Sequence, residues 1–160
     1  MTFNKSKYII AITGVSILAV LYVLNTKKPT YSDFVAHNKL NIAIKYPNNN
    51  RVSKTQTAFN TKNYEEALEH LTVLSNIYLN DVEIKLYRGI CLLELDNYFE
   101  AEAIFDKIST GNNNFNDEAI WYKGLSLLKQ KKYLQTKKIL KQISITSSYY
   151  TLAQKLLKKL

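Results

Sequence analysis

The feature of this sequence that most constrains its fold is a pattern that recurs every 34 or 35 residues. Four columns of similar side chains share this step: Tyr64, Tyr98 and Tyr133; Ala67, Ala101 and Thr136; Leu71, Phe105 and Leu140; and Leu74, Ile108 and Ile143. A step of this size is typical of helix–turn–helix solenoids. Because each unit packs mainly on its neighbours and leaves an extended surface, such arrays usually bind other proteins.

Each unit reads as two helices joined by a short polar turn. From each tyrosine of the first column, apolar residues follow at steps of three and four, which makes one apolar stripe on a helix. Gly89 and Gly124 lie in the middle of the preceding helix, where each costs about 1 kcal/mol relative to alanine. This predicts that two helix backbones approach closely there, so that a Cβ atom would clash.

Over residues 50–145 the chain resembles the tetratricopeptide repeat (TPR) family, and in particular small bacterial membrane-anchored proteins of that family. The resemblance is carried by Leu86-x-x-Gly89, Trp121-x-x-Gly124, Asn63-Tyr64-x-x-Ala67-x-x-x-Leu71 and Asn97-Tyr98-x-x-Ala101-x-x-x-Phe105. It implies an all-α, right-handed solenoid of about three repeats, at residues 51–81, 82–115 and 116–146. Residues 147–160 form an amphipathic stretch that suits a C-terminal capping helix.

The N-terminus predicts a transmembrane helix over residues 8–24, after a short tail of residues 1–7. These 17 residues carry no charge and would span roughly 26 Å at about 1.5 Å per residue. The alternative is a cleaved signal peptide, but no small-residue cleavage site follows the apolar run. The segment therefore predicts a single-pass anchor in the lipid bilayer.

The orientation of this anchor is nearly balanced by the lysines on its two sides. Lys5 and Lys7 precede the apolar run, and Lys27 and Lys28 follow it. A short tail before a first apolar segment is typical of a signal anchor, so we place the solenoid outside the cytoplasm, in the periplasm of a bacterial inner membrane. The opposite orientation would make a cytosol-facing TPR receptor.

Residues 25–50 form a linker that is partly extended. Leu40, Ile42, Ile44 and Tyr46 alternate with polar or small residues until Pro47. A period of two predicts an extended segment with one buried face. Two interpretations stay open: a leash that lies loosely on the solenoid, or an arm packed in the groove of its own array, where it would compete with a partner.

Charge is divided into three blocks along the chain. Residues 1–64 carry a net charge of +8, residues 65–118 carry −9, and residues 119–160 carry ten lysines and no acidic residue. The basic end could meet anionic lipid, the opposed blocks could drive self-association that salt weakens, or all three could be solvated faces. Nucleic acid is not an expected partner, because the lysines lack interleaved arginines and aromatic side chains.

The sequence predicts no catalytic, cofactor-binding or metal-binding residue. His37 and His70 have no acid or cysteine at metal-ligand spacing, and Cys91 lies in an apolar run where a buried thiol is expected. The glycines are isolated and form no phosphate-binding loop. We therefore expect a protein that is not an enzyme.

The expected protein-binding groove follows from the TPR resemblance, in which first helices line the concave face. The matching residues are Gln56, Phe59, Asn60, Leu86, Ile90, Glu94, Trp121, Leu125 and Lys129. Trp121, with Tyr122, is the main anchor candidate, because aromatic side chains dominate interface energetics; the alternative is a tryptophan wedged between repeats. The leading hypothesis is a membrane-anchored scaffold for a protein partner in the cell envelope, and the alternative is a self-associating structural envelope protein.

Overall fold

The protein is described by a computed structural model over residues 27–160, and this part of the chain is all-α, with seven helices and no strand. The helices are α1 (Asn50–Asn60), α2 (Tyr64–Ile77), α3 (Val82–Glu94), α4 (Tyr98–Ser109), α5 (Asn116–Lys129), α6 (Tyr133–Leu140) and α7 (Tyr150–Leu157). A single 3₁₀ turn at Tyr31–Asp33 precedes them. The expected all-α class is confirmed for these residues.

Consecutive helices pack against each other, which gives three helical hairpins followed by α7. The second helix of each hairpin begins at a tyrosine of the repeat, Tyr64, Tyr98 or Tyr133. Within each hairpin the connecting turn contains one left-handed residue: Lys62, Asp96 or Lys131, with φ of 63°, 61° and 60°. The backbone therefore repeats with the same step as the sequence.

The core between the helices is built from the residues of the repeat columns. Those of the last three columns are 0–5 % exposed: Ala67, Leu71, Leu74, Ala101, Phe105, Ile108, Thr136, Leu140 and Ile143. Ile143 is buried although α6 ends at Leu140. Ala153 and Leu156 of α7 are also fully buried, so α7 covers apolar surface at the end of the array.

Both mid-helix glycines face the following helix, as the sequence predicts. A Cβ atom on Gly89 would lie 2.7 Å from Phe105 Cε1, and one on Gly124 would lie 2.5 Å from Leu140 Cδ2. The close neighbours are side chains, so the predicted close approach of two helix backbones is wrong. The predicted clash of a Cβ atom at these two positions still holds. Thr55 takes this position in the first hairpin, where its hydroxyl donates to the Arg51 carbonyl at 2.7 Å.

No helix within residues 27–160 combines the length and the apolar character needed to cross a bilayer. The transmembrane helix predicted at residues 8–24 lies outside the described residues, as does the tail of residues 1–7.

Candidate protein-binding groove

Residues 27–49, which we call the arm, lie along the face formed by α1, α3 and α5, which we call the groove. Phe34, Leu40 and Ile42 of the arm are 8 %, 1 % and 0 % exposed and join the core of the helical array. Of the two interpretations left open by the sequence, the packed arm is the one found in the structure.

Helix α1 holds the backbone of the arm through two side-chain amides. Asn60 accepts from the Leu40 N–H at 2.9 Å and donates to the Leu40 carbonyl at 3.0 Å. Gln56 accepts from the Ala43 N–H at 3.1 Å. Because these bonds reach backbone atoms, they would hold an extended segment of many sequences, and the buried apolar side chains supply the selectivity.

Helix α3 contributes Glu94, which is the main polar contact of the groove. Its carboxylate accepts from the Tyr31 hydroxyl and lies 2.5 Å from His37 Nε2. Burial alone would raise the pKa of Glu94, but the hydrogen bonds from His37 and Tyr31 outweigh it and the pKa is lowered. Tyr87, also on α3, donates to the Lys39 carbonyl at 3.3 Å.

Helix α5 contributes an aromatic and an acidic contact. The Tyr122 ring stacks on His37 with 5.6 Å between centroids. The Asn38 amide lies 3.5 Å from Glu118 Oε1 and 3.2 Å from the Tyr149 hydroxyl, and that hydroxyl donates to Glu118 at 2.6 Å. The arm thus contacts first helices of all three hairpins.

The C-terminal end of the arm is held by Asp81, the N-cap residue of α3. Its buried carboxylate lies 2.5 Å from Lys45 Nζ and accepts from the Tyr46 hydroxyl at 2.6 Å. Burial alone would raise the pKa of Asp81, yet these bonds and the Ile84 N–H lower it. Tyr46 also stacks on Tyr78 at 3.9 Å between centroids.

The period of two predicted for the arm holds only up to Ile42. A turn follows, in which the Lys45 and Tyr46 N–H groups both donate to the Ile42 carbonyl at 3.1 Å. This turn rotates Ile44 out of the alternation, so its side chain is 78 % exposed. The expectation of one continuous buried face through Ile44 is therefore wrong.

The structure divides the expected groove residues into two sets. The apolar set is at most 3 % exposed and forms the floor under the arm and the core between hairpins: Phe59, Leu86, Ile90, Trp121 and Leu125. The Trp121 ring lies beside Tyr149, with 6.1 Å between centroids. With the arm in place it is 1 % exposed, so its ring is not presented to solvent in this structure.

The polar set lies at or beside the arm: Gln56, Asn60, Glu94 and Lys129. Lys129 Nζ lies 2.7 Å from Asp96 and 5.0 Å from the centroid of the Tyr31 ring. Sequence reasoning missed Tyr31, His37, Asp81 and Tyr87, whose roles depend on where the arm lies. The one signal for the arm's position was the Leu40–Ile42 alternation.

An open cavity of about 400 Å³ remains between the arm and the first hairpin. Its walls include His37 and Lys39 of the arm, with Asn60, Lys62 and Glu94 of the array. The cavity is therefore bordered by both the arm and the helices that hold it.

Acidic and basic stretches meet within the molecule. Lys123 lies 2.5 Å from Asp106, and Lys129 lies 2.7 Å from Asp96. These contacts join the acidic middle to the basic end of the same chain.

In the described part of the chain, no three His, Cys, Asp or Glu side chains are placed to hold a metal ion. Cys91 is fully buried, and burial raises the pKa of its thiol.

No protein-family model matches the chain, and neither a curated protein nor a solved structure matches it. The helix order and packing alone assign the described residues to the class of all-α helical repeat proteins. The feature that bears on function is the groove with its arm.

Proposed function

We propose that this chain is a membrane-anchored scaffold for protein–protein interaction, a TPR-like, right-handed solenoid whose groove binds an extended polypeptide segment. The observation that carries the proposal is the arm itself. Two side-chain amides bond to its backbone, two apolar side chains enter the floor, and Glu94 and Asp81 hold its polar side chains. This is the chemistry of a peptide-binding groove, already occupied by a segment of its own chain.

In this proposal the arm is a resident occupant that a partner segment displaces. A competing segment would place two apolar residues at i and i+2 in the positions of Leu40 and Ile42. It would also place an imidazole or cationic group against Glu94. The cavity bordered by His37, Lys62 and Glu94 gives such a segment a place to begin.

The remaining parts of the proposal concern location. Residues 8–24 would hold the chain in the inner membrane, with the solenoid in the periplasm. A tag placed after Leu160 tests this: it should be cut by protease once the outer compartment is opened, before the inner membrane is lysed. If the tag stays protected until the inner membrane is lysed, the solenoid faces the cytoplasm instead. If the chain loses about its first 30 residues and washes free of the membrane, residues 8–24 are a cleaved signal peptide and not an anchor.

The groove is tested with a defined peptide. In the full chain, Asn60→Ala removes two hydrogen bonds to the arm without touching its apolar residues. This variant should bind a synthetic peptide of residues 27–49 in solution, and a Leu40→Ala/Ile42→Ala variant should bind it more tightly. The unaltered chain and an Ile44→Ala variant, whose arms stay in place, should bind little of it.

Two controls make the result decisive. A peptide with alanine at positions 40 and 42 should not bind, because it lacks the side chains that enter the floor. If arm-weakened variants keep their helical circular dichroism and still do not bind the native peptide, the groove is a permanent part of the core and the proposal is refuted.

A partner in the envelope is tested by a photo-crosslinking residue at Lys62, which lines the cavity, with Lys138 on α6 as the control position. One crosslinked polypeptide at position 62, with a yield that rises in the Asn60→Ala chain, supports displacement of the arm. Equal labelling at both positions would contradict it.

A further inference from the structure

The C-terminal end of the array is strongly basic. Residues 119–160 contain ten lysines and no acidic residue. Seven of these lysines are exposed: Lys131, Lys132, Lys138, Lys141, Lys155, Lys158 and Lys159. Because exposed like charges repel one another, an anionic surface placed against this end of the molecule lowers its electrostatic free energy.

The beginning of the arm lies at this same end. Lys28 Nζ donates to the Leu160 carbonyl at 3.2 Å and lies 5.7 Å from the centroid of the Tyr133 ring. Lys159 Nζ lies 5.6 Å from the centroid of the Phe34 ring. Lys28 therefore lies between Leu160 and the start of α6.

The chain outside the described residues sets how far this end can lie from the apolar run. Only four peptide units separate Leu24, the last residue of that run, from Lys28. Fully extended, they reach about 14 Å at most. A bilayer that holds residues 8–24 would therefore have the lysines around Leu160 near its headgroups.

We propose that seven lysines form a binding surface for anionic lipid headgroups, which we call the lipid surface, and that this surface holds the array end-on to the bilayer. The seven are Lys27, Lys28, Lys131, Lys132, Lys155, Lys158 and Lys159. The proposal rests on the anchor proposed above and adds a second, electrostatic contact. Juxtamembrane lysines gain free energy near anionic lipid, and the gain disappears beyond a Debye length. Hydrogen bonds from Thr30 and the nearby charges of Lys159 and Lys27 lower the pKa of Asp33. Its single negative charge offsets only part of the charge of the seven lysines.

Lipid is favoured over an acidic protein because the short connection brings the bilayer to this surface whether or not a partner is present. An acidic protein would need to enter the space between the array and the membrane. The two occupants predict different dependence on lipid composition, which the following experiment measures.

The test uses the full chain in lipid nanodiscs, with a fluorophore attached to Leu152→Cys on α7 in a Cys91→Ala background. Energy transfer to a headgroup-labelled lipid reports the approach of α7 to the bilayer. Discs of phosphatidylcholine alone are compared with discs of equal phosphatidylcholine and phosphatidylglycerol. The matched label is Ile77→Cys, exposed at the end of α2 in the first hairpin.

We expect higher transfer from position 152 in anionic discs, falling by about half in 1 M salt, where the Debye length is about 3 Å. Lys155→Gln/Lys158→Gln/Lys159→Gln leaves four of the seven lysines and should weaken the dependence on anionic lipid. The control variant Lys54→Gln/Lys107→Gln removes two exposed charges away from this end and from the groove cavity and should leave the dependence unchanged. Position 77 should respond to neither lipid nor salt.

Equal transfer from position 152 in both kinds of disc, with the chain retained in the discs, would overturn the lipid surface and leave the anchor intact. A chain that does not stay with either disc would overturn the anchor, and the lipid surface with it. Retention and transfer are measured separately, so the two failures are distinguished.

Discussion

Ile42 and Ile44 offer a matched pair of substitutions in the arm. They are the same residue type, two positions apart, and a simple period of two treats them as equivalent. In the structure Ile42 is 0 % exposed and Ile44 is 78 % exposed. We predict that Ile42→Ala strongly destabilises the protein and that Ile44→Ala does not.

The magnitude follows from burial. Replacing a fully buried isoleucine by alanine costs about 2–5 kcal/mol, because the lost transfer free energy is joined by the cost of a cavity. Replacing a largely exposed one costs about 0.5 kcal/mol or less. With a urea slope of about 2 kcal/mol per molar, Ile42→Ala should lower the denaturation midpoint by roughly 1–2.5 M and Ile44→Ala by about 0.25 M or less.

The assay is urea denaturation of the full chain in detergent, followed by Trp121 fluorescence and by circular dichroism. Trp121 is the single tryptophan of the chain and is 1 % exposed, so its emission reports unfolding of the array. If the fluorescence and dichroism midpoints coincide, loss of the arm and unfolding of the helices are one transition. If the arm is released first, a probe on the arm should change at lower urea than Trp121.

Equal effects of the two substitutions would refute the reasoning. Two small effects would mean that the arm is a loose leash, whatever its sequence pattern. Two large effects would mean that the alternation continues through Ile44 and that Ile44 is buried like Ile42.

Three further predictions concern the array. Gly89→Ala should lower the free energy of unfolding by about 1 kcal/mol. Overpacking against Phe105 costs about 1–3 kcal/mol, which exceeds the gain of about 1 kcal/mol from the higher helix propensity of alanine. Urea midpoints should show partial rescue by Phe105→Leu. Cys91 should react with maleimide only at the rate of unfolding, because its thiol is buried and its pKa is raised. The pKa of Asp81 is lowered in the folded protein, in part by Lys45. Its ionised carboxylate therefore stabilises the fold above the unfolded pKa of about 4, and this stabilisation is lost as the pH falls below that value. The decrease in the free energy of unfolding on acidification should be smaller in Asp81→Asn.

Each of these predictions has an opposite outcome. Stabilisation by Gly89→Ala would mean that the Phe105 ring moves freely aside. Labelling of Cys91 in the native protein at the rate of a small thiol would mean that the α3 core opens readily. An acid transition unchanged in Asp81→Asn would assign the lost stability to other carboxylates.

The repeat could be predicted from the sequence because its signal is local and occurs three times. Steps of three and four after each tyrosine fix the buried face of α2, α4 and α6, and short polar turns fix the hairpins. Gly89 and Gly124 stood out because glycine in a helix interior needs a structural reason. These features depend on contacts within one hairpin, so the sequence order itself brings the partners together.

The arm could be predicted only in part, because its contacts join residues far apart in sequence. The bond between Asn38 and Tyr149 spans 111 positions, and that between His37 and Glu94 spans 57. Nothing in the sequence near Tyr31 or His37 indicates that Glu94 lies beside them. Trp121 was an anchor candidate for the general reason that aromatics dominate interfaces, but its burial within its own chain, beside Tyr149, satisfies its apolar surface equally well.

Whether the arm is a fixed strut or a displaceable occupant depends on the balance between its apolar and polar contacts. Leu40 and Ile42 hold it by burial, which a competing segment with similar side chains can replace at little net cost. The contacts of Glu94 and Asp81 are different. Removing the arm leaves Glu94 without its bonds from Tyr31 and His37. It leaves Asp81 with the bond from the Ile84 N–H but without those from Lys45 and Tyr46. Leaving largely buried carboxylates short of hydrogen bonds costs more than the bonds themselves contribute. A partner that supplies only apolar residues would therefore bind poorly, whereas one that also brings a cation or imidazole to Glu94 would compete on equal terms.

The same balance predicts that Glu94→Gln, which keeps the side-chain shape and removes the charge, loosens the arm and weakens the preference for such partners. Hydrogen exchange of residues 31–42 measures the loosening of the arm. Binding of peptides with histidine or alanine at position 37 measures the change in preference.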